Sequence, residues 1–450
     1  MLGGGPGGYV AAIRAAQLGL SVTLVEEADL GGICLNWGCI PSKALLRNAE
    51  VLRLVSDAGR FGIQTGPVTA DFDAAITRSR AVVAQLVQGV GFLMRKNGIE
   101  VVRGRGRLTS EQSMTVGPSA QTVVASQIVI ATGARSRSLP SLPIDGETVV
   151  TSRQALEQGR LPATCLIVGG GAIGAEFAYV YRAYGVAVTI VEALPRLLPA
   201  EDPDISRELT RQFERQGIAV RPGTTVQGAE RTGGGVRVLL GDGSAMEVER
   251  VLVATGVEPN VSDIGLETVG VALDRGAIRV DAQMRTSVPG VFAIGDVVGP
   301  PLLAHVASAQ GVVAVETAAG RQVAALDYAQ MPRCTYCQPQ VASVGWTEEE
   351  ARAGGRAVRV GKFPFSASGK AIAMGETAGF IKTVVDAESG ALLGTHAIGS
   401  EVTELLPEMV MAAWAGVRPD QFEALVHAHP TLSEGLKEAA LAAQGLAIHI

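Results

Sequence analysis

Cys34 and Cys39, five positions apart, are the residues of this chain whose type and spacing most directly indicate chemistry. A close pair of thiols can be oxidised to a disulfide and can exchange that disulfide with a substrate. An extended chain would separate their Cα atoms by roughly 17 Å and a regular helix by about 8 to 9 Å, whereas a disulfide requires less than about 7 Å. A bond therefore requires a distorted turn, for which Gly38 supplies the freedom. Two unlinked buried thiols are the alternative. The helix that we expect at 42–55 begins beside Cys39 and would favour a thiolate there.

Two glycine-rich segments, GGGPGG and GGGAIG, flank the cysteine pair along the chain. A shift of 166 residues aligns them and places Glu26 on Glu192. Each copy predicts a glycine-rich turn, a helix over 9–18 or 175–184, and a buried strand that ends in the glutamate. The pattern indicates an internal duplication of one βαβ unit.

A βαβ unit of this kind is typical of dinucleotide binding. Its first glycine makes a tight turn, the second lets the backbone approach the pyrophosphate, and the third lets the helix pack on the strand. The helix N-terminus faces the phosphates. The glutamate accepts hydrogen bonds from the ribose and, at the second copy, would repel a 2′-phosphate, which favours NAD over NADP. The predicted contacts are Gly3, Gly5, Gly8 and Glu26 in the first copy, and Gly169, Gly171, Gly174 and Glu192 in the second.

One difference separates the two copies. A full strand, 164–168, precedes the second set of glycines, but only Met1 and Leu2 precede the first. The first copy thus lacks part of its central strand, and we expect either that the true start lies upstream or that this domain is weakened. This is the one feature that favours a non-catalytic nucleotide-binding subunit over an enzyme.

Thiol–disulfide exchange also needs a group that takes a proton from the incoming dithiol and later returns it. Histidine suits that task near neutral pH. His427 and His429 lie in the segment HAHPTLSE, and Glu434 follows His429 by five residues. A carboxylate that accepts one ring N–H fixes the tautomer and raises the basicity of the other nitrogen. Taken alone, a His-x-His segment is more often structural, so the residues leave both interpretations open.

Together these motifs resemble the pyridine nucleotide–disulfide oxidoreductases. The resemblance runs essentially end to end. It rests on GGICLNWGCIPSKALL around the cysteines and on IATGA (130–134), VATGVEPN (253–260), VFAIGDV (291–297), LAHVASAQG (303–311) and HAHPTLSE (427–434).

The resemblance implies an α/β fold with two Rossmann-like nucleotide-binding domains, one for FAD and one for NAD, plus a C-terminal α/β dimerisation domain. The FAD domain is expected at 1–145, with 263–330 returning to it as a central region. The NAD domain is expected at 146–262 and the interface domain at 331–450.

The resemblance also implies the roles of the reactive side chains. Cys39 would be the thiol beside the flavin, and Cys34 the outer thiol that exchanges with substrate. His429 would be the base and Glu434 its orienting partner, with His427 in support. In the family this segment reaches the active site of the other subunit, which implies an obligate homodimer.

The remaining cofactor contacts follow from the same resemblance. Lys43 is expected beside the reactive flavin nitrogen and paired with Glu176. Further contacts are expected from Gly106, Thr132, Gly133, Val226, Gly256, Gly295, Asp296, Ala304 and His305.

Within the family, the cysteine motif is most similar to members that oxidise protein-bound dihydrolipoamide through a redox disulfide and FAD and reduce NAD⁺ to NADH. The expected partner is a lipoyl-bearing acyltransferase of a 2-oxo acid dehydrogenase complex, or the lipoyl carrier protein of the glycine cleavage system. The closest alternative is an NAD(P)H-dependent reductase of glutathione or another disulfide. Such enzymes usually carry Lys or Arg at the position of Glu192, and PKK where Pro41-Ser42-Lys43 stands. Mercuric reductase is disfavoured because no vicinal cysteine pair ends the chain.

Composition narrows the remaining classes. The net charge is −6 and no basic run stands out, so we expect neither nucleic acid nor an anionic membrane as a partner. Apolar runs are shorter than the roughly 20 residues of a membrane span. The start, MLGGGPGG, has no basic stretch ahead of an apolar region, so we expect no signal peptide and a cytoplasmic protein.

The other cysteines indicate no second site. Five cysteines in 450 residues are too few and too unevenly spread for an extracellular disulfide framework. Cys334 and Cys337 form a CxxC, but nothing in the sequence completes a four-ligand zinc site around them. Cys165 is expected to be a buried strand residue, and no metal site is expected.

Overall fold

The protein is described by a computed structural model that covers residues 1–117 and 120–450. The helices are α1 (Pro6–Gln17), α2 (Gly32–Trp37), α3 (Cys39–Ser56), α4 (Phe72–Lys96), α5 (Ser152–Ala155), α6 (Ala172–Ala183), α7 (Pro203–Arg215), α8 (Leu266–Val269), α9 (Ala304–Ala318), α10 (Glu348–Ala353), α11 (Gly369–Met374), α12 (Val402–Trp414) and α13 (Glu434–Ala442).

The strands of the first half are β1 (Thr23–Glu26), β2 (Glu100–Arg103), β3 (Gly106–Ser110), β4 (Ser113–Val116), β5 (Gln121–Val124), β6 (Ile128–Ile130), β7 (Ala134–Ser136), β8 (Val149–Thr151), β9 (Thr164–Val168), β10 (Ala187–Glu192) and β11 (Ala219–Pro222). Those of the second half are β12 (Val226–Thr232), β13 (Gly235–Leu240), β14 (Ala245–Val248), β15 (Arg250–Val253), β16 (Val257–Pro259), β17 (Leu273–Asp274), β18 (Ala277–Ile278), β19 (Val291–Ala293), β20 (Arg333–Thr335), β21 (Gln340–Gly345), β22 (Val358–Pro364), β23 (Phe380–Asp386) and β24 (Leu392–Gly399).

Helices and strands alternate along most of the chain, which confirms the predicted α/β class. The chain divides into two compact units. The first consists of 1–44, 73–137 and 256–327, and the second of 45–72, 138–255 and 328–450. The domain limits predicted at 145, 262 and 330 stay a prediction.

In the first unit, the central strand of the nucleotide-binding sheet is reduced to a single bridging residue. Strands β1 and β2 form one parallel pair, and β6 and β19 form another. Leu2 lies between the pairs and bridges Val25 on one side and Ile130 on the other. Its N–H donates to the carbonyl of Val129 at 2.9 Å, and Gly3 N–H donates to the carbonyl of Val25 at 2.8 Å. Leu2 and Gly3 thus join both halves of the sheet.

Helix α1 packs on this sheet and against α9. Its core face is made of small residues, among them the fully buried Ala11 and Ala12. The two helices meet at glycines: a Cβ on Gly311 would lie only 2.8 Å from the carbonyl oxygen of Gly7. This close approach fixes the glycine-rich turn that precedes α1.

The second unit contains two larger sheets. A parallel sheet runs in the order β11-β10-β9-β15-β8, and here β9 is a full strand that is buried over most of its length. An antiparallel sheet runs in the order β20-β21-β24-β23-β22. Strand β23 is buried along its whole length, because α12 and α13 pack on this sheet and other parts of the unit cover its second face.

A buried charge network joins the two sheets within this unit. The ammonium group of Lys382, on β23, lies 2.9 Å from Asp202 Oδ1, 3.0 Å from Asp204 Oδ2 and 2.9 Å from Glu348 Oε2. Asp202 caps the start of α7 by accepting the N–H of Asp204. A charge this deeply buried is stable only when paired, so the network fixes α7 on the antiparallel sheet.

Within the described part of the chain, none of the helices combines the length and the hydropathy that crossing a bilayer demands.

Candidate active site

Cys34 and Cys39 are joined by a disulfide, with their Cα atoms 4.7 Å apart. Cys34 lies in α2 and Cys39 is the first residue of α3, with Gly38 between the two helices. A Cβ on Gly38 would approach the carbonyl oxygen of Ile33 to 3.0 Å, so a side chain there would crowd the turn. The predicted bond and the distorted turn at Gly38 are confirmed. The following helix begins three residues earlier than the expected start at 42.

Asn36 fixes the segment between the two cysteines. Its side chain is almost fully buried, and Nδ2 donates to the carbonyls of Leu30 at 3.1 Å and Gly32 at 3.0 Å. A buried amide that makes several hydrogen bonds has little freedom to move. Sequence reasoning did not single out Asn36, although an uncharged polar residue between two reactive cysteines is a usable signal.

Cys39 stands at the N-terminus of α3, which continues for 18 residues. The partial positive charge at a helix N-terminus stabilises an anion close to it, and a thiolate there is favoured for the same reason. Lys43 lies one helical turn further on. The site therefore favours the thiolate form of Cys39, which is the leaving group when the disulfide is opened.

The two glycine-rich turns are built alike. Gly3 and Gly169 have φ values of +106° and +112°, a region in which residues with a Cβ are strained. A Cβ on Gly8 would overlap the carbonyl of Gly3, and one on Gly174 would overlap the carbonyl of Gly169. Only glycine fits these positions.

Each turn leads into a helix whose N-cap residue, Gly5 or Gly171, has no side chain. The amides of the first helical turn therefore remain open to an anionic group, as pyrophosphate binding requires. Glu26 and Glu192 lie at the ends of β1 and β10, and both are buried. These features fit a dinucleotide at each turn.

The other residues predicted to contact a cofactor fall into several local settings. Thr132 Oγ1 donates to the carbonyl of Asn260 at 2.8 Å, and Gly133 accepts the N–H of Asn260 at 2.9 Å. Gly256 accepts the N–H of Arg137 at 3.0 Å. These contacts bring the IATGA and VATGVEPN motifs together within the first unit.

Asp296 lies on a short 3-10 turn that is held by a hydrogen bond from Gly295 N–H to the side chain of Gln310, 2.7 Å long. Burial raises the pKa of the Asp296 carboxyl. Ala304 and His305 are the first two residues of α9. A half-buried acid with a raised pKa can donate a hydrogen bond to a ligand, which fits the flavin contact predicted here.

Three further predicted contacts have structural surroundings of their own. Gly106 lies on β3, where a Cβ would run into the side chain of Leu2. Val226 begins β12 and accepts the hydroxyl of Ser141 at 3.2 Å. Glu176 is buried in α6 and accepts the N–H of Tyr336 at 3.0 Å. Its predicted pairing with Lys43 stays a prediction, as do the individual cofactor contacts.

His429 and Glu434, paired by the family resemblance, form a hydrogen bond with 2.9 Å between Nδ1 and Oε1. Glu434 begins α13, and its Oε2 accepts the N–H of Thr431 at 2.8 Å. Partial burial opposes ionisation of Glu434, but the hydrogen bonds from Thr431 and His429 hold the pKa of its carboxyl below the usual value. An ionised carboxylate only accepts, so Nδ1 carries the proton and Nε2 is left to take one.

The imidazole of His429 is 79% exposed in the single chain, so its Nε2 is accessible to a substrate or to a second subunit. His427 is held separately, with 2.8 Å between Nε2 and Glu408 Oε1. The supporting role predicted for it stays a prediction.

The remaining cysteines and histidines have other surroundings. Cys165, Cys334 and Cys337 lie outside the Cys34–Cys39 disulfide, and Cys165 and Cys337 are buried. His396 is fully buried, and its Nε2 bonds the carbonyl of Trp346 at 2.9 Å. His449, for which the sequence made no functional case, bonds Glu438 through Nδ1 at 2.9 Å.

The chain is similar over its full length to enzymes called dihydrolipoyl dehydrogenase. It is 48% identical to the one from Zymomonas mobilis, covering 100% of this chain and 98% of that protein. It is 45% identical to the one from Rhizobium etli, with 99% and 97% covered.

Two solved structures also match over nearly the whole chain. LpdA from Mycobacterium tuberculosis has a TM-score of 0.92 at 29% identity, with 98% of each chain covered. The HOCl-induced flavoprotein disulfide reductase RclA from Escherichia coli has a TM-score of 0.88 at 28% identity, covering 97% of this chain and 98% of that one.

Family models agree with these relatives. Residues 1–311 match the pyridine nucleotide-disulphide oxidoreductase model. Residues 331–440 match the dimerisation domain of the same family, which supports a homodimer. Because both models together span most of the chain, this protein belongs to the pyridine nucleotide-disulphide oxidoreductase family.

Proposed function

We propose that the protein has dihydrolipoyl dehydrogenase activity, oxidising dihydrolipoamide at Cys34–Cys39 and reducing NAD⁺ to NADH. The observation that carries the proposal is the disulfide between the short helix α2 and the start of α3, in a unit that also holds a glycine-rich dinucleotide turn. The names and the 45–48% identity of the full-length relatives support dihydrolipoamide as the substrate.

FAD and NAD are the cofactors of this chemistry. The turn at Gly3, Gly5 and Gly8 with Glu26 would hold FAD, and the turn at Gly169, Gly171 and Gly174 with Glu192 would hold NAD. Open helix N-termini suit the pyrophosphates, and a buried carboxylate at the end of each second strand suits the ribose hydroxyls. The negative charge of Glu192 disfavours a 2′-phosphate and hence NADP.

The exchange begins when His429 Nε2 takes a proton from one substrate thiol. The resulting thiolate attacks Cys34 Sγ, a substrate–Cys34 mixed disulfide forms, and Cys39 leaves as a thiolate. The second substrate thiol then loses its proton and attacks the substrate sulfur of the mixed disulfide. The cyclic substrate disulfide is released, and the departing Cys34 sulfur takes up that proton and becomes a thiol.

The chain supplies groups suited to each charge that develops. The N-terminus of α3 stabilises the Cys39 thiolate. Glu434 holds His429 Nδ1–H and stabilises the imidazolium that forms when Nε2 is protonated. FAD, when bound, supplies the two-electron step that connects the Cys39 thiolate to NAD. In the homodimer we assign His429 to the active site of the other copy, as the family resemblance implies.

The proposal extends to partners and place. The substrate would be presented on a lipoyl-bearing acyltransferase or a lipoyl carrier protein, in the cytoplasm.

A second candidate, reduction of a different disulfide with NADH, is favoured by the structural similarity to the flavoprotein disulfide reductase RclA. Steady-state kinetics distinguish the two. The purified holoprotein should oxidise dihydrolipoamide with NAD much faster than with NADP, and should turn over glutathione at a negligible rate. Comparable rates with glutathione, or a preference for NADP, would contradict the proposal.

A further inference from the structure

Helix α4 supplies hydrogen-bond donors to the backbone of the redox segment. Arg80 Nη1 donates to the carbonyl of Asn36 at 2.7 Å. The hydroxyl of the fully buried Ser79 donates to the carbonyl of Pro41 at 3.2 Å. The first acceptor lies between the two cysteines in sequence and the second lies two residues after the disulfide. The donors therefore hold the segment on both sides of Cys39.

Arg78 adds a third contact of the same kind, from Nη1 to the carbonyl of Ala44 at 3.3 Å. Three consecutive residues of one helix thus donate to three carbonyls of the redox segment. Arg78 is exposed, whereas Arg80 is half-buried. Of the two cations, Arg80 is therefore the one whose charge solvent screens less.

Arg80 contacts the redox segment at the buried residue Asn36. Asn36, whose carbonyl accepts the hydrogen bond from Arg80, is two positions from Cys34 and three from Cys39. Three residues of chain span at most about 10 Å, which is comparable with the Debye length of about 8 Å at physiological ionic strength. Among the described residues, no carboxylate forms an ion pair with Arg80. Its half-buried charge is therefore only partly screened in the region of the redox pair.

Reduction of the pair changes its charge. A substrate dithiol and the Cys34–Cys39 disulfide give a substrate disulfide, the Cys34 thiol, the Cys39 thiolate and one proton. The oxidised pair is neutral and the reduced pair carries a negative charge. A nearby cation stabilises the thiolate and with it the reduced pair.

We propose that Arg80 is a positioning residue that sets the reduction potential of the Cys34–Cys39 disulfide. Its hydrogen bond to Asn36 holds the segment, and its charge favours the reduced pair. Arg80 thus makes the disulfide a better acceptor for the electrons of a dithiol. This inference rests on the proposed function only in that Cys34–Cys39 is the redox centre.

The test measures the potential directly. The holoprotein is equilibrated in buffers of reduced and oxidised dithiothreitol, quenched with an alkylating agent, and the fraction of reduced Cys34 and Cys39 is determined by mass spectrometry. In Arg80→Met and Arg80→Gln we expect the equilibrium constant for reduction to fall about tenfold, which is about 30 mV for a two-electron couple. Arg80→Lys keeps the charge, so its equilibrium constant for reduction should stay within about threefold of the wild-type value.

Two further variants serve as controls. Arg95→Met removes an exposed cation 15 residues along the same helix, about 22 Å away, and should leave the potential unchanged. Ser79→Ala removes a buried hydrogen bond to the redox segment without changing charge, and should also leave it unchanged. Melting temperatures show whether each variant is folded at the assay temperature.

If Arg80→Gln had the reduction potential of the wild type, the inference would be overturned, because the charge of Arg80 would then not affect the potential. A shift in Arg80→Lys as large as in Arg80→Met, or an equal shift in Ser79→Ala, would also overturn it, since geometry alone would then set the potential. The measurement needs no lipoamide. The protein could fail to turn over dihydrolipoamide while the Arg80 variants still show the expected shifts in reduction potential. That result would contradict the proposed function and leave this inference standing.

Discussion

Glu26 and Glu192, equivalent positions of the two βαβ copies, hold equivalent backbone amides at equal distances. Glu26 Oε2 accepts the N–H of Gly4 at 2.6 Å, and Glu192 Oε2 accepts the N–H of Gly170 at 2.6 Å. The other oxygen of each accepts the N–H two residues further along the chain at 2.8 Å. Each carboxylate therefore ties the end of its strand to the glycine-rich turn beside it.

This equivalence predicts that the two glutamates control different cofactors by the same means. A hydrogen bond to a charged group contributes about 1.5 to 3 kcal/mol, so Glu192→Gln should raise the KM for NAD about tenfold or more and narrow the preference over NADP. Glu26→Gln should instead weaken FAD retention. Flavin absorbance of the purified variants and NAD titrations measure the two effects. Loss of FAD in Glu192→Gln, with NAD binding unchanged, would contradict the assignment.

Replacement of His429 should remove the base without disturbing the disulfide. General base catalysis contributes about 10² to 10⁴ in rate, so His429→Gln should lower kcat with dihydrolipoamide by that factor. His427→Gln is the matched control and should have a much smaller effect. The fraction of disulfide in both variants, measured by alkylation, should equal that of the wild type. Full turnover in His429→Gln would rule out its assignment as the base.

The lowered pKa of Glu434 predicts how the dyad responds to acid. The pKa in the folded protein lies below the ordinary value of 4.5, so its stabilising contribution is complete above pH 4.5 and is lost as the pH falls through the folded-state value. We therefore expect the His429–Glu434 hydrogen bond to persist at pH 5. Glu434→Gln should lower kcat at all pH values. NMR of the His429 ring between pH 4 and 7 tests the first expectation, and rupture of the bond already at pH 6 would contradict it.

Lys382 should be among the most sensitive positions for stability. Burial opposes its charge, but the hydrogen bonds that the ammonium group donates to Glu348, Asp202 and Asp204 raise the pKa of Lys382. Its contribution is therefore present below pH 10.5 and lost as the pH rises through the folded-state value. Lys382→Met leaves the fully buried carboxylate of Asp202 without its cation and should cost about 3 to 5 kcal/mol of unfolding free energy at pH 7.

The matched control for Lys382 is Lys362→Met. Lys362 is 46% exposed and lies 3.5 Å from Asp204, so its removal should cost less than about 1 kcal/mol. Urea denaturation measures both variants. In Lys382→Met the loss should be smaller at pH 4, where unpaired carboxylates can take up protons. Equal losses in the two lysine variants would refute the role of the buried network.

Cys165, outside the disulfide, should differ from the redox pair in reactivity. Burial raises the pKa of the Cys165 thiol to about 12, so almost none of it is thiolate at pH 8 and alkylation should be slow. After mild reduction of the native protein, iodoacetamide should modify Cys34 and leave Cys165 unmodified. Peptide mass spectrometry locates the label. Denaturation before labelling is the control and should expose every cysteine.

Most of the chemistry was predictable because it is local in the sequence. The glycine turns, the glutamates at the strand ends, the Cys34–Cys39 pair and the His429–Glu434 pair each lie within one supersecondary unit, and their spacing decides which atoms can meet. Strand β9 has the limits, 164–168, that the sequence predicts.

Only the tertiary structure decided which distant side chains hold the reactive groups and their surroundings in place. Arg80 meets Asn36 across 44 positions, and Lys382 meets Asp202 across 180. No periodicity or motif marks such residues, because their partners are chosen by the packing of whole helices on whole sheets. The sequence by itself determined which groups react and which cofactors they serve. The fold decided which distant side chains hold those groups in place, since long-range contacts depend on how separate elements pack and not on the order of residues within any one of them.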